Sequence, residues 1–359
     1  MKVDFLIGCL GKGGAERVMA ALSGHFVHRG HSVRVITFDG TEDSYELDGA
    51  IERVRLTDNS FPIIKIRKTL NLIRFYKDQK TRPDIAISFL TATNLSAILG
   101  CRFRKIPIIV SEHNNHLFVP NPRWLTRFSW RYIYRLANFV TVLTAFDVPF
   151  FEKRKANVVV MPNPCSFATI DNNEHKREKI IVAIGNLNRI HHKGFDNLIT
   201  IVEPLLKKNQ DWKLQIIGGG ERGRPLLEEM VREKALVDKV DFLGFQKNIN
   251  SLMRKASIFI LSSRYEGLPM VLLECMSQGM ACVSYDCVTG PSEMISNEVN
   301  GLLVEDQNIH EMQNALERLF NSEELRKSLG DKAIQSIARY EINEIYEKWG
   351  DLLSAIDKK

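Results

Sequence analysis

The chain has 359 residues, of which 44% are hydrophobic and 26% charged, so it can bury a sizeable core and is long enough for two domains. Residues 1–165 hold 24 Lys and Arg against 14 Asp and Glu, so the basic surplus behind the net charge of +6 lies in the first half. No apolar run reaches the roughly 20 residues of a membrane span, and the six cysteines form no C-x-x-C pair, which favours reduced thiols over a metal site or a disulfide framework.

Short apolar segments rich in β-branched residues alternate with helical patterns in the first half. The predicted strands are VDFLIGCL, HSVRVITF, PDIAISFL, PIIVSEH, NFVTVLT and NVVVMP. The segment AERVMAALSGHFVHRG, between the first two, has apolar residues at helical spacing and ends at Gly30. Nearly continuous apolar strands separated by helices are typical of a parallel sheet whose faces are both covered.

A second series of the same kind follows a polar stretch, SFATIDNNEHKREK, which we interpret as a linker. Its predicted strands are IIVAIGNL, WKLQIIGGG, KVDFLGF, SIFILSS and ACVSYD, and beyond Gly301 we expect helices. The pattern predicts two doubly wound α/β domains, 1–165 and 166–342, with a last helix at about 343–359 packing back on the first domain. Ligands of such folds bind at the carboxyl ends of the strands, which predicts a site in the cleft between the domains.

Two carboxylates, Glu266 and Glu274, flank the apolar segment GLPMVLL. Pro269 suits the first turn of a helix, where its missing N–H costs nothing, so we expect Glu266 and Gly267 in a loop and Glu274 inside the helix. If all eight residues were helical, a rise of about 1.5 Å per residue would separate the two carboxylates by about 12 Å. Glycosidase carboxylates lie about 5–9.5 Å apart, so this spacing is too long for their chemistry.

We interpret the spacing as a grip on the two ends of an extended ligand, with the helix N–H groups beside Gly267 facing a phosphate. A sugar, a diphosphate and a ribose in line form a nucleotide sugar. The alternative is that Glu266 is a solvated loop residue and Glu274 a charge on the helix surface.

The segment E-G-L-P-M-V-L-L-E, followed by G-P-S-E-M-I and N-G-L-L-V, resembles the E-x7-E signature of retaining glycosyltransferases with the GT-B fold, in the glycogen-synthase-like family of bacterial sugar transferases. The resemblance covers essentially the whole chain. It implies two Rossmann-like domains, an interdomain cleft and a nucleotide-diphospho-sugar donor. It also implies that Glu274 holds the ribose and Glu266 the transferred sugar. The same resemblance places the backbone at Gly267, Leu268 and Pro269 beside the diphosphate.

Two further segments contain residues to which the resemblance gives a role. GNLNRIHHKGFD resembles the family's G-R-L-x-x-x-K-G-x-D segment, with Lys193 at the lysine that neutralises the leaving diphosphate. Asn186 stands at the family's arginine position, and Arg189 is near enough in sequence to supply the missing guanidinium group. In SEHNN, the resemblance gives His113 a contact with the transferred sugar, with a satisfied core histidine as the alternative.

Glycine loops follow two of the predicted strands. GKGGAER opens a helix, and the resemblance makes Gly13 and Gly14 face the donor diphosphate and the acceptor, with a tight strand–helix turn as the alternative. GGGERG formally matches G-x-G-x-x-G, which is the best case for a dinucleotide enzyme although such a match alone is weak. The resemblance instead places Gly218 beside the nucleotide and Gly244 at its base.

A metal site is suggested only by His191 and His192. Adjacent loop residues rarely converge on one ion, and the resembled family generally needs no metal at this position. We therefore predict no metal and no cofactor.

Basic residues of the first half cluster in two segments, KIRKTLNLIRFYKDQK and PRWLTRFSWRYIYRLANF. Basic amphipathic helices with aromatic residues suit an anionic membrane surface; nucleic acid and ordinary solvated helices are the alternatives. In the most similar relatives, bacterial transferases that move N-acetylgalactosamine, a basic helix at a similar place grips the acceptor diphosphate. This resemblance makes Lys65, Arg67, Lys68 and Arg74 the candidates for acceptor and membrane contacts.

The sequence thus predicts a retaining, metal-independent hexosyltransferase that moves N-acetylgalactosamine or galactose from a UDP-sugar to a polyprenyl-diphosphate-linked glycan in surface polysaccharide or glycoprotein glycan assembly. Its predicted partners are the nucleotide sugar, the lipid-linked glycan and an anionic membrane surface, without nucleic acid. We expect a peripheral protein on the cytoplasmic face of the inner membrane. The alternatives are a sugar-nucleotide epimerase or dinucleotide-dependent oxidoreductase on a similar fold, and a basic membrane- or nucleic-acid-binding protein without catalysis.

Overall fold

The computed structural model of the chain describes residues 1–11, 13–40, 43–57, 63–246 and 248–357. They form two compact units: Met1–Ser166 with Tyr340–Lys359, and Phe167–Arg339. The chain therefore returns to the first unit for its last helix.

The first unit contains a seven-stranded parallel sheet. Its strands are β1 Lys2–Ile7, β2 Ser32–Thr37, β3 Glu52–Arg55, β4 Ile85–Phe89, β5 Ile108–Ser111, β6 Phe139–Val142 and β7 Val158–Val160. They lie in the order β3-β2-β1-β4-β5-β6-β7, and every neighbouring pair is parallel. The order reverses between β1 and β4, and ligands of open α/β sheets bind outside the carboxyl ends of the strands at such a point.

The second unit contains a six-stranded parallel sheet. Its strands are β8 Glu178–Ile184, β9 Lys213–Ile217, β10 Val240–Gly244, β11 Ala256–Leu261, β12 Ala281–Tyr285 and β13 Leu302–Val304. They lie in the order β10-β9-β8-β11-β12-β13, again with every neighbouring pair parallel. Here the order reverses between β8 and β11, so the loops after these two strands are the expected place for a ligand.

Helices connect the strands of both sheets. They are α1 Gly14–His28, α2 Ile64–Phe75, α3 Thr91–Phe103, α4 Arg123–Phe128, α5 Val148–Glu152, α6 Ile190–Lys193, α7 Phe195–Lys208, α8 Gly223–Glu233, α9 Ile249–Lys255, α10 Met270–Ser277, α11 Pro291–Met294, α12 Ile309–Asn321, α13 Glu323–Ser336 and α14 Ile342–Asp357. A π-helical stretch, Ser129–Ile133, continues α4 and is followed by a 3-10 turn, Tyr134–Leu136. Among the described residues, no helix has the length and apolar content needed to cross a bilayer.

The central strands of each sheet are buried because they are apolar on both faces, as parallel sheets covered by helices require. Asp4 in β1 is a charged exception. Arg34 donates to both of its carboxylate oxygens at 2.7 and 2.6 Å, and the Tyr76 hydroxyl donates to it at 2.6 Å. The buried charge is thus paired and hydrogen-bonded, which is the condition for keeping it in a core.

The last helix packs on α1 within the first unit. The Tyr346 ring lies 5.1 Å from the Phe26 ring, and the Tyr346 hydroxyl lies 2.8 Å from His31 Nε2. Trp349 on the same helix is buried. The first unit is therefore built from both ends of the chain.

The predicted fold class, two Rossmann-like α/β units with parallel sheets, is confirmed. Every predicted strand is present, but β3 and β13 were not predicted. The expectation of only helices beyond Gly301 is wrong, because Leu302–Val304 pairs with β12. Both missed strands have four residues or fewer, and β3 (ERVR) is charged and partly exposed, so neither has the apolar run used to recognise the others.

The polar stretch after Ser166 is held against the second unit by hydrogen bonds. Asn173 Nδ2 donates to the Gly279 carbonyl at 3.0 Å, and Arg177 Nη1 donates to the Ala256 carbonyl at 2.7 Å. The polar residues of this stretch therefore make hydrogen bonds to the second unit as well as to solvent.

Candidate active site

The loops after β8 and β11 meet where the order of the second sheet reverses. Ser262 Oγ donates to the Lys193 carbonyl at 3.1 Å, and the Arg264 N–H donates to the His192 carbonyl at 3.0 Å. Gly194, with φ +64°, packs so closely that a Cβ there would lie 1.8 Å from the Ser262 carbonyl oxygen. The two loops are therefore joined through their backbones, and Gly194 accommodates the contact because it has no side chain.

Lys193 and Glu266 form an ion pair in this crevice. Lys193 Nζ lies 2.7 Å from Glu266 Oε1, and the two side chains are only 17% and 8% exposed. The Thr289 hydroxyl donates to the Glu266 carbonyl at 2.5 Å and so fixes the backbone beneath the carboxylate. Because the pair is largely shielded from solvent, salt screens it less than it would a surface pair.

Glu274, the second carboxylate of the E-x7-E segment, lies on α10 and is 1% exposed. Neither Glu266 nor Glu274 is therefore the solvated surface charge of the alternative interpretation. A carboxylate is kept in such a position only with hydrogen-bond donors or cations around it. Both carboxylates are thus placed to contact protein or ligand groups as well as water.

The GLP segment between the carboxylates is closely packed. Leu268 is buried, and Pro269 is the N-cap residue of α10, one position before the predicted first turn. Gly290, with φ +98°, approaches so closely that a Cβ there would lie 2.5 Å from the Gly267 carbonyl oxygen. The start of α10 is therefore fixed beside Glu266.

Arg264 anchors the lysine loop to α7. Its Nη1 donates to Asp196 Oδ1 at 2.7 Å and to the His191 carbonyl at 2.6 Å, and its Nη2 donates to Asn197 Oδ1 at 2.8 Å. Burial alone would raise the pKa of Asp196, but the hydrogen bonds and charge of Arg264 hold it below the ordinary value. This anchor was not predicted, because only the fold brings the two segments together.

Positive charge accumulates on the turn after β8. Arg189 is exposed, and its Nη2 lies 3.2 Å from His192 Nε2, whereas the Asn186 side chain caps its own turn by accepting from the Asn188 N–H at 2.9 Å. Burial first, and then the charges of Arg189 and Lys193, lowers the pKa of His192 to about 4. Of these causes, the charges of Arg189 and Lys193 are the ones that would also attract an anion.

The GGGERG loop packs on the same turn. A Cβ at Gly218 or Gly223 would lie 1.8 or 1.7 Å from a carbonyl oxygen of that turn, and the Gly218 N–H donates to the Gly244 carbonyl at 2.9 Å. Asn188 Oδ1 accepts from the N–H groups of Arg222 and Gly223 at 3.0 and 3.1 Å. An amide side chain therefore occupies the start of α8, where a dinucleotide pyrophosphate would otherwise bind.

His191 and His192 have separate neighbours. His191 Nδ1 lies 3.8 Å from Asp196 Oδ2, whereas His192 lies beside Arg189. In the part of the chain that the structure describes, no group of three or more His, Cys, Asp or Glu side chains is arranged to hold a metal ion.

In the first unit, two lysines of α2 lie at the corresponding reversal point of the sheet. Lys68 Nζ is 3.2 Å from Asp39 Oδ2, and a Cβ at Gly8, just after β1, would lie 4.0 Å from the same nitrogen. Lys65 donates from Nζ to the Ala92 carbonyl at the start of α3. Burial, and then the charge of Lys68, lowers the pKa of Lys65, so these two ammonium groups already repel each other.

Arg67 and Arg74 lie on another side of α2. At about 100° per residue, Lys65 and Lys68 are about 60° apart around the axis, whereas Arg67 and Arg74 are about 20° apart on the far side. Arg74 is exposed. The four basic residues that the sequence analysis grouped together therefore do not form one surface.

His113 follows β5 and stacks on Phe89 with ring centroids 4.3 Å apart. Both ring nitrogens are shielded from solvent and make no hydrogen bond to any residue that the structure describes. Burial lowers the pKa of His113 to about 3, so the ring stays neutral. This geometry does not match a satisfied core histidine, because burying unpaired polar atoms costs free energy, and the contact with a sugar stays a prediction.

Glu112, which precedes His113, is a candidate that the sequence analysis missed. It is buried, and its carboxylate accepts from Thr91 Oγ1 at 2.5 Å, from Asn94 Nδ2 at 3.1 Å and from the Tyr134 hydroxyl. Burial raises the pKa of Glu112 to about 7, against the opposing effect of these donors. The SEHNN segment contained the signal, but its buried carboxylate was not separated from the histidine.

The start of α1 is covered by an internal carboxylate. Gly13 is the N-cap residue and Gly14 the first helical residue, and a Cβ at Gly13 would lie 2.0 Å from Glu16 Oε2. Burial raises the pKa of Glu16, opposed by a hydrogen bond to its own backbone. Lys12 of the same loop lies outside the described residues.

Comparison with known proteins matches both halves of the chain to transferase families. Residues 12–165 match Glycosyltransferase Family 4, and residues 168–336 match Glycosyl transferases group 1. The chain is 31% identical, over 99% of both chains, to the GalNAc-alpha-(1->4)-GalNAc-alpha-(1->3)-diNAcBac-PP-undecaprenol alpha-1,4-N-acetyl-D-galactosaminyltransferase of Campylobacter jejuni.

Solved structures share the fold. TarM superposes with a TM-score of 0.84 at 17% identity, covering 98% of this chain and 99% of TarM. Alr3699/HepE of Anabaena, in complex with UDP, superposes with a TM-score of 0.77 at 17% identity, covering 99% of this chain and all of that one. The similarity along the whole Campylobacter protein, together with the two family matches, shows that this chain belongs to the glycosyltransferases, with a Family 4 region followed by a group 1 region.

Proposed function

We propose that this glycosyltransferase is a retaining, metal-independent enzyme that moves N-acetylgalactosamine or galactose from a UDP-sugar to a polyprenyl-diphosphate-linked glycan. The observation that carries the proposal is the Lys193–Glu266 ion pair at the reversal point of the second sheet, with buried Glu274 on the helix that follows. The Campylobacter relative, by its name, acts on an undecaprenol-linked diphosphate glycan, which supports the acceptor. The UDP bound to the Anabaena protein supports the donor.

The role of Lys193 follows from charge. As the sugar departs, negative charge grows on the leaving diphosphate, and a fixed ammonium group stabilises it. Lys193 already lies against Glu266. A sugar-nucleotide donor whose diphosphate binds the Lys193 ammonium group would therefore bring its sugar to the Glu266 carboxylate. Arg189 and the first N–H groups of α10 would add to the positive field, and Glu274 would accept the ribose hydroxyls.

The retaining course is the one that the resemblance to the E-x7-E transferases implies. The side chains of the site would serve as charge partners and hydrogen-bond acceptors, and none is an evident covalent nucleophile, so the displacement would fall to the acceptor and the leaving phosphate. The acceptor hydroxyl would attack the sugar on the face from which the diphosphate leaves, passing its proton to the departing phosphate oxygen. The bond that forms would keep the configuration of the bond that breaks.

The acceptor would bind the first unit at the reversal point of its sheet. Lys65 and Lys68 would neutralise its diphosphate. His113 would contact the transferred sugar, its neutral ring donating a hydrogen bond from one nitrogen and accepting one at the other. Gly13 and Gly14 would face the donor diphosphate and the acceptor. The enzyme would act as a peripheral protein at the cytoplasmic face of the membrane that holds its acceptor.

The oxidoreductase alternative loses its main support. It depended on the GGGERG loop as a dinucleotide site, and the Asn188 amide already occupies the N–H groups of Arg222 and Gly223. The epimerase alternative was based on a similar two-domain fold alone, and the family matches support a transferase instead.

The test is a donor panel. The full chain is incubated with radiolabelled UDP-GalNAc, UDP-Gal, UDP-GlcNAc or UDP-Glc and an extract of lipid-linked glycans, with and without EDTA. We expect one of the first two labels to enter the lipid phase whether or not EDTA is present, and the new linkage to be α by NMR.

The matched variants are Lys193→Ala and Lys213→Ala, the latter at an exposed lysine of β9. We expect kcat to fall by about 10²–10³ in the first and to stay unchanged in the second. A β-linked product, loss of transfer in EDTA, or thermal stabilisation by NAD but not by UDP would each contradict the proposal.

A further inference from the structure

A period of four runs through residues 123–136. Each repeat begins with an arginine followed by a large apolar residue, giving the pairs Arg123–Trp124, Arg127–Phe128, Arg131–Tyr132 and Arg135–Leu136. All eight residues are exposed, and Trp124 is 71% exposed, more than any other large hydrophobic residue described in the chain. We call these eight residues the arginine–apolar stripe.

The stripe is the outer face of a well-anchored segment. Between its members, Thr126, Ser129, Trp130 and Tyr134 are buried, and the last two belong to the core of the first unit. The Tyr134 ring stacks on Phe151 with centroids 5.8 Å apart. The exposed side chains are therefore held outward by packing beneath them.

Helix geometry keeps the aromatic members aligned. An α-helix, with about 3.6 residues per turn, overshoots by about 40° every four residues. The stretch Ser129–Ile133 is π-helical, and its wider turn, closed by i→i+5 hydrogen bonds, offsets the drift accumulated in α4. The Phe128 and Tyr132 rings, four residues apart, are direct neighbours, with centroids 5.2 Å apart.

The charge of the stripe is uncompensated. No Asp or Glu occurs in the sequence between Glu112 and Asp147. None of the four guanidinium groups makes an ion pair or a side-chain hydrogen bond with a residue that the structure describes. Arg154 adds to the local charge. Burial lowers the pKa of Arg154, and the positive charge of Arg131 lowers it further. The surface thus combines unpaired cations with exposed aromatic rings.

We propose that the arginine–apolar stripe binds the surface of an anionic lipid bilayer, with its rings at the level of the headgroups and its guanidinium groups on lipid phosphates. The proposal rests on the function proposed above and identifies the surface by which such an enzyme reaches a lipid-linked acceptor. Trp and Tyr favour the membrane interface, and arginine on the polar side adds electrostatic attraction to anionic lipid.

The ring geometry favours lipid over nucleic acid. Single-stranded nucleic acid needs open aromatic faces on which bases stack. Phe128 and Tyr132 instead lie against each other with an interplanar angle of 47°, so each covers part of the other. The lysines of α2 are a separate group, because Lys68 pairs with Asp39 and Lys65 with a backbone carbonyl.

The first test removes charge. The full chain is sedimented with vesicles of phosphatidylcholine alone or mixed equally with phosphatidylglycerol. For Arg127→Gln with Arg131→Gln, we expect partitioning onto the mixed vesicles to fall by roughly fivefold per arginine. The matched control, Arg254→Gln with Lys255→Gln at two exposed residues of α9, removes the same charge and should bind as the wild type does.

The second test removes the rings. Trp124→Ala with Phe128→Ala should lower binding to the mixed vesicles even in high salt, where electrostatic attraction is screened. Phe103→Ala, at another exposed aromatic residue of the first unit, is the control and should have little effect. UDP binding by calorimetry should be unchanged in every variant, so a failure of the proposed donor site is distinguished from a failure of the stripe.

The proposal is overturned if the wild-type chain stays in the supernatant with the mixed vesicles, or if both stripe variants bind them as the wild type does. It is also overturned if the stripe variants lose binding to single-stranded RNA while the wild type ignores vesicles, since the surface would then serve nucleic acid.

Discussion

Glu112 and His113 are neighbours in the sequence, yet their hydrogen-bonding surroundings are opposite. The carboxylate of Glu112 receives three side-chain donors, whereas the His113 ring has no partner among the described residues. Burial shifts the pKa of each group against its charged form, to about 7 and about 3. The hydrogen-bonding groups of Glu112 are thus satisfied within the protein, whereas those of His113 are open to a ligand.

We expect His113→Phe to raise the stability of the protein and to lower its activity. Phenylalanine keeps a ring against Phe89 and removes two unpaired nitrogens, so the free energy of unfolding should rise by about 1 kcal/mol. Sugar transfer should fall by about two orders of magnitude if the nitrogens contact substrate. Urea denaturation and the transfer assay measure the two effects.

The control is His116→Phe. His116 also stacks on a phenylalanine, Phe150, but its Nδ1 is 2.7 Å from Asp147 Oδ1, so the same change should destabilise the protein by about 1–3 kcal/mol. Equal destabilisation by both substitutions would show that the His113 ring has a partner after all.

For Glu112 the prediction concerns pH. Its pKa is about 7 in the folded chain against an ordinary 4.5, so the folded state holds its proton more tightly and the stability this gives is lost as pH rises through 7. Between pH 5 and pH 8, Glu112→Gln should therefore gain about 2 kcal/mol relative to the wild type. Denaturation curves at the two pH values test this.

Glu324→Gln, at an exposed glutamate of α13, is the matched control and should differ from the wild type equally at both pH values. A Glu112→Gln difference that does not change with pH would contradict the raised pKa.

Residue identities in the site were predictable only in part. Glu266, Glu274 and Lys193 belong to short motifs, and the sequence sufficed to place Glu266 in a loop after a strand and Glu274 in the helix that follows. Their partners were not predictable, because Thr289 and Arg264 lie outside those motifs and reach them only through the fold. The substrate roles of all these residues stay predictions.

At the scale of elements, the crevice of the second unit depends on the backbone contact between two loops. Gly194→Ala would place a Cβ 1.8 Å from the Ser262 carbonyl oxygen and strain a residue at φ +64°. The loop must move, which disturbs Lys193. We expect UDP affinity to fall at least tenfold and the free energy of unfolding to fall by about 3 kcal/mol or more, since a clash adds to a strain of about 1–2 kcal/mol.

Gly30→Ala isolates the strain from the clash. Gly30 has φ +86°, and a Cβ added there would meet no heavy atom within 4 Å, so only the backbone cost applies and UDP affinity should not change. Calorimetry and urea denaturation of the two variants give the comparison; equal losses would mean that the loop contact is unimportant.

The elements recovered from sequence are those with long apolar runs. The π-helical turn of Ser129–Ile133 has no sequence signature of its own, and the segment around it was predicted as a basic amphipathic helix suited to an anionic membrane surface. Its period of four is visible in the sequence, but only the structure shows which face of each repeat is exposed.

At the scale of the whole molecule, two parallel sheets followed from alternating strand and helix patterns, because that alternation is typical of doubly wound α/β domains. The order of the strands was not predicted and comes from the structure. The charge asymmetry was also visible, and the stripe lies within the basic half. The predicted cleft between the domains stays a prediction.

Arg177 is one of the residues that hold the stretch after Ser166 against the second unit. Its guanidinium group donates to the carbonyls of Met253, Ala256 and Gln278, and burial lowers its pKa to about 10. Without it these carbonyls lose their donor and the stretch is released, so Arg177→Ala should be nicked by thermolysin between residues 167 and 177 at least tenfold faster than Lys176→Ala, its exposed neighbour. Mass spectrometry of the fragments locates the cut, and an unchanged digestion rate would assign the anchoring to other contacts. If the expected difference is found, one guanidinium group limits how fast a protease cuts the intact polypeptide.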